Sequence, residues 1–247
     1  MKASSASLEF ERIRARPMRR DPESQRTTSP EDLKALYARR FQDRESYRNR
    51  VWRTLIDCLF SRWIPPGSSV LDLGCGYGEF INNVAAGNRY AMDLNPDAKG
   101  RVESGVHFVL QDCSEPWPIE AESLDVIFSS NFLEHLPSKR HLSRTMQESA
   151  RALRPGGIII LMGPNVRFVP GAYWDFYDHH IPLTDKSVAE LLEMEGFHVE
   201  VAYARVLPYT MSEGRSYPQW VLRTYLRMPA AWRIFGKQFV VVARRRH

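Results

Sequence analysis

The stretch Val70-Leu71-Asp72-Leu73-Gly74-Cys75-Gly76-Tyr77-Gly78-Glu79-Phe80 constrains the fold more than any other. An apolar run is followed by a glycine on every second position. Glycine has no Cβ, accepts positive φ and lets another group approach the backbone. Such a turn at the carboxyl end of a buried strand is where parallel α/β sheets bind ligands. The dinucleotide fingerprint needs glycines at its first, third and sixth positions, and the sixth here is Glu79. An acid at the start of the following element also opposes a pyrophosphate. No lysine stands at the position a P-loop requires. The loop therefore suits a phosphate-free ligand, above all one that carries positive charge.

The rest of the chain alternates in period between strand and helix. Strands are expected at Val70–Leu73, Tyr90–Met92, Val106–Leu110, Leu124–Ser129, Ile158–Met162, Phe197–Ala204 and Phe239–Ala243. Helices are expected at Glu79–Ala86, Lys139–Leu153 and Asp185–Glu195, with Arg154-Pro155-Gly156-Gly157 a turn into the fifth strand. This order predicts an α/β fold, a doubly wound and mostly parallel sheet with helices on both faces. Residues 1–30 lack apolar periodicity and read as a disordered basic tail. Ser29-Pro30-Glu31-Asp32 reads as a helix start. The helical pattern then runs from Leu33 to Phe60 and stops at Pro65-Pro66-Gly67. Residues 31–66 form an N-terminal helical segment over the ligand site, residues 67–247 the main domain, and 207–236 a helical insertion within it.

The net charge of +5 points first to nucleic acid. Residues 1–30 carry +3 of it and Arg244-Arg245-Arg246 another +3, which leaves −1 for residues 31–243. A broad phosphate-binding face is not required by that distribution. Three widely spaced cysteines, Cys58, Cys75 and Cys113, argue against a disulfide framework and fit a reducing compartment. With no secretory leader or membrane-length apolar run, the expected location is cytoplasmic.

Two further strand ends carry acids. Asp93 follows the second strand, nineteen residues after Gly74, where an acid accepts ribose hydroxyls. Asp112 follows the third, where it can accept from an adenine amino group, and either acid taken alone could instead be a turn residue or a helix cap. The segments "VLDLGCGYGEF", "YAMDLNP", "FVLQDCSEPWP", "LDVIFSSNFLEHL", "LRPGGIIILMGPN" and "LTDKSVAELLEMEGFHVEV" together resemble the class I S-adenosylmethionine-dependent methyltransferases. The resemblance covers Leu33 to the C-terminus. It implies a Rossmann-like seven-stranded sheet with an antiparallel last strand. It implies that Gly74, Cys75, Gly76 and Gly78 wrap the methionine part of S-adenosyl-L-methionine, with Asp72 near its ammonium. Asp93 then holds the ribose, Asp112 the adenine amine, and Leu94 and Cys113 flank the adenine ring. Tyr37 is expected to close over the cofactor from the N-terminal segment.

Methyl transfer to a hydroxyl needs positioning and removal of a proton. In the resembled family the end of the fourth strand faces the methyl group, so Asn131 is a candidate to orient the acceptor and His135 a candidate base, with an imidazole pKa suited to the role. His135 can equally be a packing residue at a helix start. The segment "GAYWDFYDHHIPLT", Gly171–Thr184, supplies a second candidate base, His179. Asp175, Asp178, His179 and His180 could instead bind metal, but their clustering in one segment is not typical metal-ligand spacing, and no metal is expected. Within the insertion, Trp220, Arg223 and Arg227 share a helical face, as in a membrane-surface or lipid-contact helix, or in a lid or core-packing helix. Similarity of "FYDHHIPLT" and "RTYLRMP" to methyltransferases of bacterial surface-polysaccharide pathways implies a small-molecule, saccharide or lipid-linked sugar acceptor. The competing readings are an RNA or other nucleic-acid methyltransferase and an inactive cofactor-binding interaction protein. The near-neutral core and the lack of an "NPPY"-type motif count against the first. The intact loop and acids count against the second.

Overall fold

The computed structural model describes residues 45–208 and 217–247. Strands β1 (Ser69–Leu73), β2 (Asn88–Asp93), β3 (Val106–Leu110), β4 (Leu124–Ser130), β5 (Leu153–Pro164), β6 (Phe197–Tyr203) and β7 (Gln238–Arg245) form one sheet. Its order is β3-β2-β1-β4-β5-β7-β6. β1 to β5 are parallel, and β7 runs antiparallel between β5 and β6. This is the expected doubly wound sheet with an antiparallel last strand. The carboxyl ends of β1, β2 and β4 therefore lie on one edge.

The strands alternate between two cores. Val70, Val126, Phe128, Ile160 and Val240 belong to one, and Leu71, Ile127, Ile159, Leu161 and Val241 to the other. The period of two sends successive side chains to opposite faces, and burial on both sides explains the near-continuous apolar runs. Helices α1 (Glu45–Leu55), α4 (Gln219–Leu226) and α5 (Pro229–Phe235) cover the first face, and α2 (Lys139–Ala152) and α3 (Asp185–Met194) the second. α1 runs on through an i→i+5 turn at Ile56–Phe60 and a 3₁₀ turn at Ser61–Trp63. Trp52 packs edge-on against Phe80 and Phe128, whose rings stack, and this aromatic cluster locks α1 over the end of β1.

Two expected elements differ. Glu79–Ala86 is not a helix but a run of turns. Isolated i→i−4 bonds survive, from Asn82 to Gly78 and Val84 to Phe80. Asn82 instead uses its side chain on Arg101 O and Glu103 N, and Asn83 bonds back to Glu79 O. Adjacent asparagines beside branched Ile81 and Val84 offer the backbone rivals to a helical ladder. The Arg154–Gly157 turn is absorbed into β5, which already pairs with β4 at Leu153 and resumes at Ile158 after a register shift. Gly156, at φ +76°, lets the strand make that excursion. Tyr37 and residues 1–30 lie outside the described residues, as do 31–44 of the N-terminal segment and 209–216 of the insertion.

Candidate active site

The loop after β1 adopts the geometry its glycines permit. Gly74, Gly76 and Gly78 have φ of +71°, +52° and +74°. A Cβ on Gly74 would lie 2.2 Å from Cγ of Phe132, so this glycine admits the Phe132 ring from the β4 end. Gly74→Ala would force that ring aside and hold alanine at left-handed φ. A loss of about 1–3 kcal/mol is expected, read as roughly 2–4 °C of melting temperature per kcal/mol. Adding Phe132→Ala to Gly74→Ala should recover the steric part of that loss. An unchanged melting temperature in Gly74→Ala would contradict the packing described.

Asp93 ties the loop to the end of β2. Its Oδ2 accepts from Gly76 N at 2.8 Å and its Oδ1 from Asn95 N at 2.8 Å. Burial raises its pKa, against the pull of those N–H groups and of His135. Asp72 is 4 % exposed, and its pKa stands well above the usual carboxylate range through burial first, then the charges of Glu79 and Asp93. Glu79 is raised by burial despite its 2.8 Å pair with Arg48 of α1. Three acids thus crowd one cradle against the cost of desolvating like charge. A cationic ligand relieves that cost, so the residues present fit S-adenosylmethionine, with its sulfonium and ammonium groups. Arg48 and Arg101 both lie over the Tyr77 ring, which places α1 beside the loop.

The other cofactor candidates sit at the same edge with different engagements. Leu94 is 40 % exposed. Asp112 is exposed, and its Oδ1 accepts from Ser114 N and Oγ. Cys113 is buried with Sγ 3.3 Å from Thr145 Oγ1, and burial pushes its thiol up to about 12. Burial and the nearby acids likewise raise the Cys75 thiol. Neither is a thiolate nucleophile at neutral pH.

At the end of β4, Asn131 turns the chain at φ +49°, its N–H bonded to Met162 O and its exposed side chain to Ser130 Oγ. The chain then makes a 3₁₀ turn at Leu133–His135. The buried Glu134 accepts on its carbonyl from His180 N and Ile181 N. Tyr173, fully buried, donates its hydroxyl to Ile181 O. These bonds stitch the segment after β5 onto the β4 loop and bring Asp178 to His135. His135 Nδ1 lies 3.0 Å from Asp178 O and 3.1 Å from its carboxylate. Burial would lower the His135 pKa, but the Asp178 hydrogen bond, with the charges of Glu134 and Asp178, carries it above the ordinary histidine value. The ring keeps 19 % exposure, which leaves Nε2 for a reactant if Nδ1 carries the proton.

His179 is placed differently. It is buried, stacked on Phe176, tilted on Tyr173 and edge-on to His135 at 4.8 Å. Of the quartet Asp175, Asp178, His179 and His180, the first and last are exposed and the other two buried. Glu134, His135 and His179 converge, with ligand atoms within 4.8 Å of one another. A tetrahedral ion holds its ligand atoms about 3.4 Å apart, so that spread would have to close around a metal. Sequence reasoning named Asp178 only as a metal ligand and missed Phe132 and Arg48. The alternating acid, aromatic and histidine of Asp175–His180 was the signal for Asp178, but only the stitching by Glu134 gives it a partner.

The family model for a methyltransferase domain matches residues 44–201, from α1 into β6. The chain is 26% identical over 169 residues to 27-O-demethylrifamycin SV methyltransferase of Amycolatopsis mediterranei, covering 62% of this chain and 60% of that one. It is 32% identical over 132 residues to malonyl-[acyl-carrier protein] O-methyltransferase of Dechloromonas aromatica, covering 51% and 48%. The chain thus spans about half to two-thirds of the length of the curated relatives it matches. A SAM-dependent methyltransferase from Archaeoglobus fulgidus shares the fold at a TM-score of 0.60 and 20% identity, over 87% of this chain and 100% of that one. With the strand order, the glycine loop and the acid cradle, these matches establish that the chain belongs to the methyltransferase-domain family, as a class I S-adenosylmethionine-dependent methyltransferase.

Proposed function

We propose that this methyltransferase methylates a hydroxyl on a small molecule, saccharide or lipid-linked sugar, with His135 removing the acceptor proton and Asp178 orienting His135. The observation that carries the reading is the contact of His135 Nδ1 with the carbonyl and carboxylate of Asp178. Those acceptors favour the tautomer with the proton on Nδ1 and the lone pair on Nε2. S-adenosylmethionine, when bound, supplies an electrophilic methyl group on a good leaving group. The glycine loop, Asp72 and Asp93 would hold it, and Asp112 and Leu94 would line its nucleoside end. The Phe132 ring excludes water beside Gly74. One relative above is named an O-methyltransferase and the other a methyltransferase of a 27-O-demethyl compound, which supports oxygen as the acceptor atom. His135 Nε2 takes the hydroxyl proton, and Asp178 and Glu134 stabilise the imidazolium that results. Asp178 acts through His135 and is a positioning residue.

The decisive measurement is the pH dependence of kcat/KM. Only neutral His135 accepts a proton, so the rate should rise through a pKa above the ordinary histidine value and then level off. Asp178→Asn should lower both the plateau and the inflection, because the carboxylate is what raises the pKa. A flat profile in both proteins would refute the assignment. Since proton removal needs no ion in this reading, dialysis against EDTA should leave the rate within about twofold. Full loss, restored by Mg²⁺ or Zn²⁺, would replace the base with a metal on Glu134, His135 and His179.

A further inference from the structure

The insertion between β6 and β7 presents a surface the methyltransferase reading does not use. Its inner side is firmly held. Leu226 and Trp232 are buried, Trp232 Nε1 donates to Tyr225 O at 3.0 Å, and Tyr225 donates its hydroxyl to Val206 O at 2.5 Å. Arg205 caps the last turn of α5, with bonds to Ile234 O and Gly236 O at 2.7 Å each. The outer side is therefore not a frayed end. It exposes Trp220 at 68 %, Met228 at 52 %, Ile234 at 68 % and Phe235 at 60 %. Arg227 and Arg233 are exposed among them. From residue 217 to the C-terminus the sequence contains no Asp or Glu.

Large apolar side chains ordered outward and interleaved with arginines match an anionic bilayer, and the exposed acid Asp57 of the neighbouring turn is paired with Arg223 at 3.5 Å. The rings and aliphatic tips enter the acyl boundary while the guanidinium groups meet phosphates. β6 runs parallel to β5, so it delivers the chain to the insertion at the edge where β1, β2 and β4 end. We propose that α4 and α5 dock the enzyme on an anionic lipid surface, with the methyl-transfer edge of the sheet on the same side. This deepens the reading of the acceptor as lipid-linked and rests on it only for that last step.

The test is co-sedimentation of the full chain with vesicles of phosphatidylcholine alone or of equal parts phosphatidylcholine and phosphatidylglycerol. Binding should favour the anionic vesicles by roughly tenfold or more and weaken with salt. The pairs Trp220→Ser with Phe235→Ser, and Arg227→Glu with Arg233→Glu, should each lose roughly tenfold or more. S-adenosylmethionine affinity and melting temperature should stay unchanged in both. The proposal fails if the parent shows no anionic preference. It fails if both pairs bind like the parent, which would assign binding to the Arg-rich residues 1–30. It also fails if the substitutions abolish a concentration-dependent dimer, since the patch would then be a self-interface. Lipid binding without methylation of any lipid-linked sugar would count against the acceptor reading and leave the docking face standing.

Discussion

His135→Ala should lower kcat roughly a hundredfold to ten-thousandfold while S-adenosylmethionine affinity changes no more than a few-fold. The ring contacts Asp178, not the glycine loop, and its loss leaves Asp93 bonded to Gly76 and Asn95. His179→Ala separates the rival assignment. His179 is clasped by Tyr173 and Phe176, so its removal should cost stability and a smaller part of kcat. Asp178→Asn should sit between the two in rate and alone shift the pH profile downward, a signature that mere loosening of the segment would not give. Single-turnover rates across pH, with calorimetric affinities alongside, measure all three. If His135→Ala keeps a near-normal rate, the acceptor reacts through positioning alone or is a nucleophile that needs no base.

The centre of the sheet was legible because its inner strands are apolar on both faces and bounded by turn residues, as at Val70–Leu73 before Gly74 and Ile158–Met162 after Gly157. The glycine- and acid-bearing strand ends stood out for a related reason. Glycines and acids at three strand ends have few other uses in one chain. The helix expected at Glu79–Ala86 failed because Asn82 and Asn83 spend their amides on distant and local carbonyls, a competition invisible to apolar periodicity. The His135–Asp178 pair was illegible for a deeper reason. Forty-three residues separate the two, and their meeting depends on main-chain bonds from His180 and Ile181 to Glu134. Candidates could be named from chemistry, but only tertiary structure decides which histidine gains a carboxylate. The insertion shows the same limit. Trp220, Arg223 and Arg227 were read as one face, and all three are exposed, yet the cap by Arg205 that fixes Ile234 and Phe235 outward has no sequence signature.

Asp93→Ala should weaken S-adenosylmethionine binding roughly tenfold to a hundredfold, about 1.5–3 kcal/mol. Two effects enter that number, because both Asp93 oxygens already accept main-chain N–H groups. Each oxygen has a second acceptor site, so Asp93 can shape the loop and take ribose hydroxyls at once. Asp93→Asn is not conservative here. Its amide would turn a donor toward either Gly76 N–H or Asn95 N–H, and it should bind no better than the alanine variant. A cofactor analogue without ribose hydroxyls separates the two effects. If Asp93 grips the ribose, the analogue binds the parent weakly and the variant no longer distinguishes it from S-adenosylmethionine. If Asp93 only shapes the loop, both ligands lose the same factor in the variant. The acid crowding adds a pH signature. Asp72, Glu79 and Asp93 all titrate above their ordinary range, so affinity for the cationic cofactor should fall as pH drops through that raised range. S-adenosylhomocysteine, which lacks the sulfonium charge, should show a shallower fall. An unchanged dissociation constant in a folded Asp93→Ala protein would remove Asp93 from the cofactor site.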